Sequence, residues 1–121
     1  MPTKPIIRKE NQMRVLSFIV DKQIITPDPK CDFRGLVPGT SGYLKAKFSF
    51  SSEWKGAVKV VGFFDYSGKE YEPQILKDGT TCIIPTEALQ NRSFKLQVLG
   101  KRGKTRMTTD PIRVVQDGGR T

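Results

Sequence analysis

Residues 43–50 read YLKAKFSF, and this octet decides the fold class. Leu44, Ala46, Phe48 and Phe50 alternate with Lys45, Lys47 and Ser49. In an extended chain successive side chains point to opposite faces, so the apolar set lies on one side and the polar set on the other. The octet is therefore a strand with one face on a core and the other in water.

The same period returns in residues 93–100 (SFKLQVLG), with Phe94, Leu96 and Val98 inward and Lys95 and Gln97 outward. Residues 14–20 (RVLSFIV) are β-branched and aromatic and short enough for a buried strand. Asp21-Lys22-Gln23 turns the chain into the short strand Ile24-Ile25-Thr26. Residues 57–66 (AVKVVGFFDY) form a strand with apolar residues on both faces. Ser67-Gly68 is a hairpin turn, after which residues 69–76 (KEYEPQIL) run back, and Pro73 confines that segment to an edge or a strand end. Asp78-Gly79 starts another hairpin into residues 80–85 (TTCIIP), with Cys82 and Ile84 facing one way. Residues 85–89 make one helical turn. Residues 105–109 and 112–115 complete a last strand broken by Asp110-Pro111.

Seven or eight short strands with no longer helix predict an antiparallel β-sandwich or small barrel. The expected core comprises Leu16, Phe18, Val20, Leu44, Ala46, Phe48, Val58, Val60, Ile84, Leu89, Phe94, Leu96, Val98, Ile112 and Val114. A chain of 121 residues suits one domain. Residues 1–12 (MPTKPIIRKENQ) read as an extended arm, 13–116 as the sandwich, and 117–121 as a flexible tail. Residues 27–42 hold three prolines and three glycines and must be a long loop, a kind often kept for function. No apolar run approaches the roughly 20 residues that span a bilayer, and the N-terminus lacks the apolar centre of a signal peptide. Folding in a cytoplasm is the expectation, with no membrane partner. Cys31 and Cys82 would suit an inter-sheet disulfide in a secreted domain, but a cytoplasm favours two reduced thiols.

Enzymatic activity is not expected. The chain has no histidine, the usual general base at neutral pH. Glu70 and Glu72 share a strand face and read as solvated charges. Asp28, Asp32 and Asp65 lack the ligand spacing of a calcium loop, and the cysteines lack partners for zinc. The glycines follow no nucleotide-binding pattern, so neither metal nor cofactor is expected. Cys31, between Lys30 and Asp32, is the sole nucleophile candidate.

Binding is the better reading. The 21 Lys and Arg exceed the 12 Asp and Glu and give a net charge of +9, which favours an acidic partner without choosing its class. Lys101, Arg102, Lys104 and Arg106 gather around one basic turn, and Lys45, Lys47, Lys55 and Lys59 are placed outward. With Trp54, Tyr66 and Tyr71 among them, these residues form a candidate interaction surface. One use is stacking of single-stranded nucleic acid, in which Tyr43 joins these aromatics. Another is sugar binding, in which Trp54, Tyr66 and Tyr71 stack on carbohydrate rings. The plainer reading is that lysines keep strands soluble and unpaired at their edges, and that Trp54 packs over the sandwich edge. No recognised nucleic-acid motif accompanies the charge.

The run FSFSSEWKG, KVVGFF, TTCIIPTEAL, FKLQVLGKRG and RMTTDPIRVV, between Phe48 and Val115, resembles small immunoglobulin-like domains from the structural modules of tailed bacteriophages. The resemblance rests on the Ser-Glu-Trp turn, the cysteine before Ile-Ile-Pro, and the Phe-to-Gly strand before a basic turn, and it covers just over half the chain. It implies an immunoglobulin-like antiparallel sandwich in a virion protein: capsid decoration, head fibre or tail component. The implied partners are other virion proteins, first among them the major capsid protein. It transfers no binding residues, and the arm lies outside it.

Overall fold

Lys22 takes a left-handed φ of 59° and closes the first hairpin, between β1 (Arg14–Asp21) and β2 (Ile24–Pro27). A computed structural model describes residues 13–116; the arm and tail expected at 1–12 and 117–121 lie outside the described residues. The remaining strands are β3 (Leu44–Phe50), β4 (Val58–Phe64), β5 (Gln74–Ile75), β6 (Thr81–Ile83), β7 (Ser93–Arg102), β8 (Thr105–Thr108) and β9 (Ile112–Val115). They build two sheets, β2-β1-β3-β6 and β5-β4-β7-β8, with β9 pairing the other half of β7. The fold is an all-β sandwich.

The alternating strands place their apolar faces as read. Leu16, Phe18 and Val20 of β1 meet Leu44, Ala46 and Phe48 of β3 in one layer, and Phe94, Leu96 and Val98 of β7 form the other; all are at most 2% exposed. Phe18 stacks on Phe48 at 5.5 Å. Each such side chain contributes about 1.5–3 kcal/mol by leaving water.

Several expectations need correction. The sheets are not antiparallel throughout, because β1 and β3 run parallel from Arg14↔Leu44 to Val20↔Phe50. A parallel pair requires a long connection, and the loop after β2 provides it. The loop first follows the edge of β1: Asp28 N–H donates to Ser17 O at 3.0 Å, and Ser17 N–H donates to Cys31 Sγ at 3.3 Å. The Arg14 guanidinium then holds Asp32 O at 2.9 Å and Arg34 O at 2.7 Å. Leu36 is buried and Phe33 packs edge-on against Phe18, so the loop is part of the core wall.

Val58 and Val60 are not core residues. Val61 and Phe63 point inward, paired with Val98 and Leu96, while Val58 is 64% exposed and Val60 half-buried. Ile112 is also only half-buried. Residues 69–76 are not one returning strand; they give a bridge at Glu70 and the two-residue β5. The break expected at Asp110-Pro111 is present and divides the last strand into β8 and β9. Between Leu99↔Thr108 and Leu96↔Ile112 the C-terminal chain gains one residue on β7, a bulge at Asp110-Pro111. That bulge ties the sheets together, since Asp110 N–H donates to Gln23 O and its Oδ1 accepts from Ile25 N–H at 3.1 Å.

Candidate docking face on the five-stranded sheet

The strand alternation that buries Phe94, Leu96 and Val98 sends Lys95, Gln97, Leu99 and Lys101 to the outer face of the sheet. Cross-strand pairing then sets their neighbours. Ile75, Val60, Leu99 and Thr108 line up across four strands, because Val60 pairs with both Ile75 and Leu99, and Leu99 pairs with Thr108. Ile75 is 56% exposed. Val58 extends this apolar row, and a shallow groove runs along Val58, Val60, Leu99, Lys101 and Arg106.

Basic residues lie on both sides of the row, next to it at Lys101 and, beyond Gln97, at Lys95. Lys101 stands directly opposite Arg106, and Lys95 directly opposite Arg113. Such partners have Cβ atoms about 4.5–5.5 Å apart, where like charges destabilise a sheet. No carboxylate offsets them: among the described residues the one ion pair is Arg34–Asp32, at 2.9 Å, in the loop after β2. Glu70 lies near this face, its Oε2 3.6 Å from where a Cβ on Gly62 would stand, and makes no ion pair there.

Of the residues singled out from sequence, Lys101 and Arg106 belong to this face. Arg102 does not: its guanidinium folds back to donate to Glu53 O at 2.9 Å and Lys55 O at 2.7 Å, clamping the 3-10 turn Ser52–Trp54. Lys104 sits exposed at the tip of the β7–β8 turn beside Gly103, whose φ is 61°. Trp54 is not a surface residue. It is fully buried, its Nε1–H donates to Lys22 O at 2.8 Å, and its ring lies against Phe50 and Gly100. Tyr71 is half-buried with its hydroxyl accepting from Asn91 Nδ2 at 2.9 Å, leaving only Tyr66 freely exposed. The three aromatics therefore form no common stacking platform. Lys59 also departs from the outward placement, lying 5.0 Å over the Phe50 ring. Lys45 and Lys47 face outward on the other sheet.

The face also contains Arg113, Ile75 and Leu99, which the sequence reading did not single out, Lys95, which it read only as outward, and Val58 and Val60, which it placed in the core. Alternation marked Lys95 as outward, but only the long-range pairing of β7 with β9 puts Arg113 opposite it.

The carboxylates serve turns. Asp78 accepts from Thr80 N–H, Thr81 N–H and the Thr81 hydroxyl, the last at 2.6 Å, and these bonds hold its pKa down to about 2. Asp32 is held at about 2 chiefly by its hydrogen bonds from Arg34. The Ser67 hydroxyl and the turn amides lower Asp65. Glu70 and Glu72 are exposed. Cys31 and Cys82 are free thiols. Burial pushes Cys82 up to about 12, and Cys31 completes the hydrogen bonding of the β1 edge between Ser17 N–H and Val15 O. No cluster of metal-ligating side chains occurs among the described residues, and no helix there is long and apolar enough to cross a membrane.

No protein-family model matches the chain, and no curated protein or solved structure matches it.

Proposed function

We propose that this chain is a non-enzymatic assembly domain that docks on an acidic protein surface through the outer face of its five-stranded sheet. The observation that carries the reading is two like-charge cross-strand pairs on one sheet face, Lys101–Arg106 beside an apolar row exposed at Val58 and Ile75, and Lys95–Arg113 further along β7. Lysines that guard sheet edges against pairing belong on edge strands. Lys95 and Lys101 are on β7, which lies between β4 and its C-terminal partners, so edge protection does not account for them. A partner presenting carboxylates around an apolar centre would relieve the repulsion and desolvate Ile75, Val60 and Leu99. Its charge would also raise the association rate.

The phage resemblance suggests the setting: an accessory protein of a tailed-bacteriophage virion, bound to the capsid surface or to another virion protein. The test is mass spectrometry of purified particles, with co-sedimentation of the purified protein on particles that lack it. The expected result is stoichiometric incorporation and rebinding that Lys101→Glu/Arg106→Glu abolishes. Absence from particles together with no rebinding would overturn the virion setting. Rebinding unaffected by the double reversal would overturn the face. Single-stranded nucleic acid is disfavoured by the burial of Trp54, and a gel shift at low salt with a steep salt slope would restore it.

A further inference from the structure

The second surface is a strand edge left unpaired among the described residues. Gln116 N–H donates to Arg92 O at 2.6 Å, which marks Arg92 and Gln116 as a hydrogen-bonded pair. Such pairs alternate along an antiparallel ladder, so Val114 and Ile112 also direct their backbone groups to β7. The N–H and C=O of Arg113 and Val115 therefore point away from the sheet. Neither residue makes a backbone bond on that side among the described residues. Beside this edge lies a groove of about 750 Å³, walled by Asp32, Phe33 and Arg34 and reaching Phe18, Ile112 and Val114. An edge left open only for want of a neighbour has no need of an apolar trough next to it.

We infer that the β9 edge accepts an extended strand from a partner protein, with acidic and apolar side chains in alternation. Backbone pairing would add this strand to the sheet next to β9. Its alternate side chains would enter the groove toward Phe18 and Phe33, while the others would lie on the outer face beside Arg113. Charge selects the occupant. Arg34 is already paired with Asp32, whereas Arg113 faces Lys95 and has no carboxylate partner among the described residues. A second copy pairing β9 to β9 would set two Arg113 side chains opposite each other in the register centred on Arg113, and Val115 opposite each Arg113 in the register centred on Val114. Residues 1–12, with Lys4, Arg8 and Lys9 against Glu10, carry the wrong sign.

The probe is a synthetic hexapeptide alternating Glu and Val, compared with its Lys–Val counterpart, titrated into the full chain and followed by amide NMR and hydrogen exchange. The Glu–Val peptide is expected to shift and protect the Arg113 and Val115 amides, and the Lys–Val peptide to bind at least about tenfold more weakly. Val115→Pro removes an outward N–H and no bond to β7, a substitution that edge strands tolerate. It should weaken the Glu–Val peptide by roughly tenfold, the loss of one hydrogen bond. Arg113→Glu should reverse the preference between the two peptides, which keeps the test decisive if the proline variant fails to fold. Equal binding of both peptides, or protection mapping elsewhere, would overturn the inference. So would self-association lost in Val115→Pro. Lys101→Glu should leave peptide binding intact, and Val115→Pro should leave particle docking intact, so the edge and the face fail separately.

Discussion

Gly100 has no side chain because Trp54 occupies the space where one would go. A methyl group there would stand 2.6 Å from Cζ3 of Trp54, too close for any real contact. Gly100→Ala must displace the indole and strain its bond to Lys22 O. The expected cost is about 1–3 kcal/mol, the range for overpacking a filled core, read as a lower urea midpoint with altered tryptophan fluorescence. Asp78 allows a second prediction at this scale. Its carboxyl titrates at about 2 when folded against an ordinary 3.8, so the folded state binds the proton less readily than the unfolded chain. The stability it contributes is present in full above the ordinary value and is lost as pH falls through about 2. Asp78→Asn should therefore flatten the acid limb of the stability–pH curve within that window and change nothing in shape at neutral pH. The amplitude should be small, since the group is exposed and solvent screens it.

At the scale of elements, the strands legible from sequence were those with polar residues to set their phase. Lys45, Lys47 and Ser49 fixed which face of β3 is outside, and Lys95 and Gln97 did the same for β7. In β4, residues 57–66 are apolar in both phases, so alternation could not choose. The choice falls to pairing, which sets Val61 against Val98 and Phe63 against Leu96. The parallel β1–β3 pair escaped sequence reading because it depends on a partner distant along the chain, whereas the break between β8 and β9 was legible at Asp110-Pro111. The candidate face was half legible: Lys101 and Arg106 lie in one turn, while Arg113 joins Lys95 only through the sheet. The phase of β4 is directly testable. Phe63→Ala should cost about 3–5 kcal/mol, as expected for a buried aromatic. Val58→Thr should stay within about 0.5 kcal/mol of the parent, as surface changes do. Chemical unfolding of both variants decides the matter, and the opposite ranking would turn the strand over.

At the scale of the whole molecule, the basic pairs on the five-stranded sheet have a consequence for stability. A central strand carrying Lys95 and Lys101, each opposite an arginine, makes the free domain less stable than a neutral face would. If that cost is retained for recognition, removing it should stabilise the fold and weaken docking together, the trade-off typical of functional surfaces. Lys101→Gln and Arg106→Gln should each stabilise the free protein by about 0.2–1 kcal/mol at low salt. A double-mutant cycle should return a coupling energy with the sign of repulsion. Added salt should shrink that coupling, most clearly at about 1 M, where the Debye length of about 3 Å falls below the separation of the charges. The same variants should lose affinity for the acidic partner in co-sedimentation. A stabilised domain that docks unchanged would show that the repulsion serves solubility alone.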